Sequence, residues 1–123
     1  MTLPPLGDLE HELVTLLWAH GPATAAALRK RLPRKLADPT VRTVLRRLEE
    51  KGYVDHVVEA GTFIYRAKET RQQVAADAVR NILDKFCDGS LEKMLSGLIE
   101  SSVIDPRHVA SFPDRLKKRF KPR

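Results

Sequence analysis

The chain has few of the residues and patterns that mark secreted domains, membrane proteins and enzymes. It has one cysteine, Cys87, which excludes an intrachain disulfide framework, and no apolar run approaches the ~20 residues that a membrane span needs. Its 4 histidines lack the spacing of a metal site, and the sequence has no nucleophile elbow, phosphate loop or obvious carboxylate pair. We therefore expect a soluble, cytoplasmic protein that is not an enzyme and that uses no metal or cofactor.

Basic residues, in contrast, are in excess and are unevenly distributed. The 123 residues have a formal net charge of +6. Between Arg29 and Arg47 there are eight basic residues and one acid, Asp38, whereas the remainder of the chain is nearly neutral. A positive charge confined to one segment predicts an anionic partner that binds there.

Within this basic region, residues 38–52 (DPTVRTVLRRLEEKG) have the pattern of an amphipathic helix. Asp38 is suited to the N-cap position, Pro39 to the first turn, and Gly52 to a left-handed residue after the last turn. The apolar residues are spaced at i, i+3, i+4 and i+7, which places them on one stripe: Val41, Val44, Leu45 and Leu48.

The opposite face of this helix carries arginine and hydroxyl groups. At ~100° per residue, Thr43 and Arg46 lie at its centre, and Arg42 and Arg47 lie on its flanks. In a DNA major groove, arginine can form two hydrogen bonds to guanine, and threonine can contact a base edge or a thymine methyl group. An ordinary helix with a solvated charged face has the same pattern, so the neighbouring elements decide between the two interpretations.

The elements around residues 38–52 predict a winged helix-turn-helix. A helix with Asp8 as its N-cap extends to about His20, and a second, shorter helix begins after Thr24. Two runs rich in β-branched and aromatic residues, YVDHVVE and TFIYRAK, flank a Gly-containing turn and predict a β-hairpin. We therefore predict a mainly α fold with a small β-hairpin wing, and a DNA-binding domain over residues 1–68.

Residues 69–123 predict a dimerisation region of three further helices with a basic tail. Thr70, Ser90 and Asp105 are suited to begin these helices, and Pro113 predicts a break or kink just before it in the last one. So short a segment cannot bury three apolar stripes alone, which predicts a homodimer; a helical cap on the N-terminal domain is the alternative. The predicted dimer interface comprises Val79, Ile82, Phe86, Leu91, Met94, Leu95, Leu98, Ile99, Val109, Phe112 and Leu116.

Other basic residues are predicted to contact DNA phosphates. They are Arg29, Lys30, Arg34, Lys35, Arg47, Arg66 and Lys68. The tail after Leu116 is also basic, and it is either solvated or a source of further phosphate contacts, whereas Glu59 near the wing tip argues against deep insertion of the wing. The alternative function is a winged-helix interaction module whose basic face binds an acidic protein partner.

Four segments together resemble the penicillinase repressor family and its copper-responsive relatives. They are LGDLEHELVTLLWAHGPAT, TVRTVLRRLEEKGYV, FIYRA and DGSLEKML, and the resemblance extends from Leu6 to about Leu116. It implies a dimeric winged-helix repressor that binds an inverted-repeat operator at promoters of resistance or homeostasis genes, with a membrane sensor-protease as a partner. The DNA base contacts that it implies, at the start of the third helix, correspond here to Thr40, Arg42, Thr43 and Arg46.

Two features depart from the pattern of that family. Members induced by proteolysis are cut at an Asn-Phe bond, where this chain has Gly97 and Leu98. Copper-responsive members have a C-terminal cysteine cluster, where this chain has only Cys87, so a metal switch of that kind is excluded. Cys87 closes an apolar stripe and is predicted to be a small buried hydrophobe or, alternatively, a redox-sensitive thiol.

Overall fold

The computed structural model describes residues 3–111 and residue 113. These residues form two compact units, and the boundary between the units lies between Val79 and Arg80. The elements in chain order are α1 (Asp8–His20), β1 (Ala23–Thr24), α2 (Ala25–Arg31), α3 (Asp38–Lys51), β2 (Val54–Glu59), β3 (Thr62–Ala67), α4 (Arg71–Phe86), α5 (Leu91–Glu100) and α6 (Pro106–Ala110). Within these described ranges, no helix is long and apolar enough to cross a membrane. The predicted fold class, mainly α with a small β-hairpin wing, is confirmed.

The first unit has a core formed by its three helices and its sheet. The largest side chains that are completely buried are Leu13, Leu28, Leu45 and Leu48. All four apolar residues of the predicted stripe on α3 are buried, which confirms the helical spacing. The opposite face of α3 is consequently turned towards solvent.

The helix starts agree with the sequence in part. The Thr24 side chain accepts a hydrogen bond from the Ala27 N–H at 3.1 Å and caps α2 as predicted. The predictions that Asp8 and Asp38 cap α1 and α3 are wrong, because the N-cap residues are Gly7 and Ala37. Each aspartate lies instead in the first helical turn, where its charge also interacts favourably with the helix dipole.

The predicted hairpin is present and belongs to a sheet of three strands. Strands β2 and β3 are antiparallel and are joined by Ala60 and Gly61, which both have positive φ angles, 49° and 77°. Two such residues are typical of the tight turn that matches the twist of a hairpin. Strand β1 pairs with β3 through Ala23 and Tyr65, an addition that the sequence did not predict because two residues have no measurable periodicity.

A partly buried ion pair joins the start of α1 to the end of α3. The Lys51 Nζ donates hydrogen bonds to Glu10 Oε1 at 2.7 Å and to the Pro5 carbonyl at 2.9 Å, and the Gly7 N–H donates to the same Glu10 oxygen at 2.7 Å. Burial raises the pKa of Glu10, but the hydrogen bonds from Lys51 and Gly7 outweigh it and leave the pKa below its usual value. Nearby, the Tyr53 hydroxyl donates to the Pro4 carbonyl. These bonds hold the N-terminal segment over the end of α3.

The start of α4 is fixed within the first unit by Trp18. Its indole Nε1 donates to the Glu69 carbonyl at 2.9 Å, and the Arg71 guanidinium lies 5.5 Å from the ring centroid. The predicted capping box is confirmed, because the Thr70 hydroxyl accepts from the Gln73 N–H at 3.1 Å and the Gln73 side chain accepts from the Thr70 N–H at 2.8 Å. Trp18 is partly buried and also packs against the hydrophobic core of this unit.

The helices of the C-terminal region begin where the sequence predicts. Ser90 caps α5 by accepting from the Lys93 N–H at 3.1 Å, and Asp105 accepts from the Arg107 N–H at 2.8 Å at the start of α6. Helix α6 ends at Ala110, before Pro113. Helices α4 and α5 have no buried residue. The Val109 side chain, Phe112, Leu116 and the basic tail lie outside what the structure describes.

Candidate nucleic-acid interface

The exposed face of α3 forms one wall of a groove of about 550 Å³. Arg42, Arg46 and Glu49 line this wall, and Thr62 and Phe63 of β3 line the opposite one. The start of α2 closes one side of the groove. The winged helix-turn-helix arrangement thus brings the predicted base-contacting arginines next to the wing, as the sequence implied.

The arginines on this face differ in their surroundings. Arg46 and Arg47 are exposed and form no ion pair within the described part of the chain. Arg42, in contrast, donates through Nε to Asp38 Oδ2 at 2.8 Å, one helical turn earlier. Among the described residues, no carboxylate therefore engages the guanidinium groups of Arg46 and Arg47 directly, whereas that of Arg42 is paired with Asp38.

The two threonines on α3 also differ. Thr40 is exposed, whereas Thr43 is half-buried and its hydroxyl donates to the Pro39 carbonyl at 2.9 Å. Because its proton is used in this bond, the Thr43 oxygen can only accept a hydrogen bond from a partner. Thr43 therefore offers an acceptor and a methyl group, but no donor.

Two of the predicted phosphate-contacting arginines are paired with acids. Arg34 is 2.5 Å from Glu12 of α1, and Arg66 is 2.6 Å from Asp55 on the neighbouring strand. The hydrogen bond from Arg66 lowers the pKa of Asp55 below its usual value, and the carboxylate in turn raises the pKa of Arg66. Like Arg47, the other predicted phosphate contacts have no ion pair among the described residues: Arg29, Lys30, Lys35 and Lys68.

A cluster of three side chains at the groove was missed by sequence reasoning. The Glu49 carboxylate contacts Nδ1 of His56, and the His56 ring stacks on Phe63 with a centroid distance of 4.0 Å and an interplanar angle of 10°. Phe63 is 46% exposed and opens onto the groove. Glu49 lines the groove, and its contact with His56 links α3 to the wing. The stacking of His56 on Phe63 depends on the register of β2 against β3, which no local sequence signal reveals.

The described part of the chain contains no candidate cluster of metal ligands. Among the residues that the structure describes, no three histidine, cysteine, aspartate or glutamate side chains are placed to hold a metal ion. What the site can do instead is bind a polyanion and form hydrogen bonds to flat, polar base edges.

Comparisons with known proteins agree with this geometry. The family model described as Penicillinase repressor matches residues 6–118. The penicillinase repressor of Bacillus licheniformis is 23% identical over 109 residues, which cover 87% of this chain and 85% of that protein. Among solved structures, an ArsR-like transcriptional regulator from Rhodococcus sp. RHA1 has a similar fold, with a TM-score of 0.51 and 20% identity over 76% of this chain and 81% of that one.

These similarities assign the chain to a class of regulators and not of enzymes, as the absence of catalytic motifs predicted. The structural neighbour supports the winged-helix fold, and the family match supports DNA binding. Since the family model covers nearly the whole sequence, the chain belongs to the penicillinase repressor family and is a DNA-binding transcriptional regulator.

Proposed function

We propose that the protein represses transcription by binding an inverted-repeat operator as a homodimer, with α3 in the major groove of each half-site. The observation that carries the proposal is the exposed face of α3, on which Arg42, Thr43 and Arg46 lie side by side. The opposite face is anchored in the core, so these side chains are presented on a rigid helix.

The chemistry of each side chain suggests its contact. Arg46 and Arg42 are suited to guanine, whose O6 and N7 atoms accept two parallel hydrogen bonds from a guanidinium group. The Thr43 methyl group is suited to a thymine methyl group, because the hydroxyl proton is bonded to Pro39. Thr40, two residues before Arg42, completes the set of proposed base contacts.

The proposed phosphate contacts fall into two groups. Arg29, Lys30, Lys35, Arg47 and Lys68 form no ion pair among the described residues, and each can replace a counterion on the DNA backbone. The remaining two, Arg34 and Arg66, must share their charge with Glu12 and Asp55. They are consequently expected to contribute less to DNA affinity.

The homodimer is proposed because α4 and α5 expose the apolar stripes that the sequence predicts. Ile82 is 45% exposed and Phe86 is 81% exposed, and α4 and α5 have no buried residue. A second copy would cover these side chains and remove apolar area from water. The proposed interface comprises Val79, Ile82, Phe86, Leu91, Met94, Leu95, Leu98 and Ile99, with Val109, Phe112 and Leu116 as further members from sequence alone. Two-fold symmetry would then place two copies of α3 at half-sites about 34 Å, or a multiple of that distance, apart.

Base contact by Arg46 is tested with a matched pair of variants, Arg46→Ala and Arg47→Ala. Binding selection on random duplex DNA with the unaltered protein is expected to recover an inverted repeat. Arg46→Ala is expected to reduce the free energy of operator binding by about 1–3 kcal/mol per lost base contact. It should also relax the base preference at one position of each half-site. Arg47→Ala is expected to weaken binding to all DNA sequences equally. It should also reduce the slope of log binding constant against log salt concentration by about one unit per lost phosphate contact.

The selection also tests the proposal as a whole. Salt-sensitive binding without a preferred sequence would contradict contact between α3 and the bases and would favour an acidic protein partner instead. Identical effects of the two substitutions on the selected sequence would contradict the assignment of Arg46 to a base.

The dimer is tested by introducing a charge at its centre with Phe86→Glu. Because Phe86 is largely exposed in a single chain, the substitution costs little in the monomer and prevents burial in the dimer. The mass determined by analytical ultracentrifugation is expected to fall to that of one chain. Val58→Glu, at an exposed apolar residue of the wing, is the control and should leave the mass unchanged. A mass of one chain for the unaltered protein would contradict the proposal.

Release of the operator then follows from separation of the protomers. Cleavage at Gly97–Leu98, the position that the family resemblance implies for an inducing protease, would cut within α5. A protease needs an extended substrate, so α5 would first have to unwind locally. A membrane sensor-protease therefore enters the proposal only as a partner that acts on an opened α5.

A further inference from the structure

The Asp38 carboxylate holds the guanidinium group of Arg42 at the groove. The Arg42 Nε donates to Asp38 Oδ2 at 2.8 Å, and the two residues are one helical turn apart on α3. Their side chains are 66% and 38% exposed, so the pair itself contributes little to the stability of the fold. Its position on the face that lines the groove suggests another role.

The geometry of the guanidinium group explains what the pair can do. Arginine has five N–H donors in one plane, and the bond to Asp38 uses the one on Nε. The two terminal nitrogens form no hydrogen bond within the described part of the chain. Their outward N–H groups are parallel and match the O6 and N7 acceptors on the major-groove edge of guanine. A side chain with many rotamers is thus restricted to one that presents this edge.

We propose that Asp38 is a positioning residue that orients Arg42 for a guanine in each operator half-site. The inference rests on the proposed function, because it requires α3 to lie in the major groove. Asp38 itself contacts no base. It determines specificity by fixing the direction of the Arg42 donors before DNA is bound, so that less conformational freedom is lost on binding.

A merely structural role of Asp38 predicts a different outcome. As an acid in the first turn of α3, Asp38 interacts favourably with the helix dipole, and its removal would lower thermal stability only. As a negative charge close to DNA, it repels phosphates, so its removal would strengthen binding to every sequence. Neither effect changes the choice of base at one position, whereas loss of orientation does.

The experiment compares Asp38→Ala and Arg42→Ala with the control Glu12→Ala. The control removes the same charge and breaks a similar exposed pair, Glu12 with Arg34, outside α3. Binding selection on random duplex DNA is carried out with the full-length chain, and the salt dependence of binding and the melting temperature are measured for each variant. Arg42→Ala identifies the operator position that Arg42 contacts.

The expected result is a loss of guanine preference at the Arg42 position in Asp38→Ala. The preference should fall by roughly five- to tenfold, with unchanged or stronger binding to unrelated DNA. Glu12→Ala should leave every position unchanged. The proposal is overturned if Asp38→Ala retains the guanine preference, or if Arg42→Ala changes no position, while the unaltered protein still selects an operator. If the unaltered protein selects no sequence, the proposed function itself fails, and the positioning role fails with it.

Discussion

Replacement of Glu10 tests the partly buried ion pair that joins the start of α1 to the end of α3. The Glu10 side chain is 10% exposed, and its Oε1 accepts hydrogen bonds from both Lys51 and Gly7. Its second oxygen, Oε2, is buried and has no hydrogen-bond partner in the described part of the chain. The carboxylate therefore stabilises the fold through one oxygen and carries a desolvation cost at the other.

The expected magnitude follows from these opposing contributions. Breaking a buried ion pair costs about 3–5 kcal/mol when the remaining charge stays buried. Lys51, however, is 30% exposed and can turn into solvent, so the loss should be smaller. We expect Glu10→Ala to lower the free energy of unfolding by about 2 kcal/mol, which for a unit of this size corresponds to roughly 8–16 °C in melting temperature.

The pH dependence provides a sharper test of the same pair. The pKa of Glu10 is lowered in the folded state, so its contribution is present above the usual value of 4.5 and is lost as the pH falls through the lower, folded-state pKa. Urea unfolding at a series of pH values should therefore show a smaller acid destabilisation for Glu10→Gln than for the unaltered protein. Glu50→Gln, at an exposed acid of α3, is the control. If Glu10→Gln has the same stability and the same acid profile as the unaltered protein, the assigned ion pair is wrong.

Substitutions at three further positions, Gly52, Gly61 and Thr24, test local backbone features by thermal unfolding. Gly52→Ala and Gly61→Ala each place a side chain on a residue with a positive φ angle, 92° and 77°. Each should therefore lower the free energy of unfolding by about 1–2 kcal/mol. Only at Gly52 would the new Cβ meet a neighbour, Leu3 Cδ2 at 3.1 Å, so Gly52→Ala should be the more destabilising, and the reverse order would contradict the described N-terminal segment. Thr24→Ala should lower the free energy of unfolding by about 1 kcal/mol, and Thr24→Ser should lower it much less, because serine can accept the same hydrogen bond from the Ala27 N–H. Equal losses of stability in the two variants would contradict the assignment of Thr24 as the N-cap of α2.

The elements that could be predicted are those whose signals are local. The buried stripe of α3 follows from spacing alone, and the caps at Thr24 and Ser90 follow from a hydroxyl placed before an apolar repeat. Aspartate is less informative, because it is favoured both at the N-cap and in the first turn. The sequence pattern therefore does not distinguish the N-cap position from the first helical position at Asp8 and Asp38, both of which follow the actual N-cap residue.

The features that could not be predicted depend on contacts between distant segments. The stacking of His56 on Phe63 requires the register of β2 against β3, and the pairing of Arg34 with Glu12 requires the loop before α3 to lie beside α1. Strand β1 exists only because β3 offers it a free edge. The basic residues around α3 are evident from the sequence, but the ion pairs that some of them form with acidic residues are not.

The contacts of Trp18 also make the chain suitable for optical measurements. It is the only tryptophan in the sequence, and its indole is bonded to the Glu69 carbonyl beneath the Arg71 side chain. Intrinsic emission excited at the tryptophan band therefore arises from one place, the junction between the wing and the first turn of α4. Without any attached dye, a shift of that emission during a DNA titration would show whether this junction opens when the protein is bound.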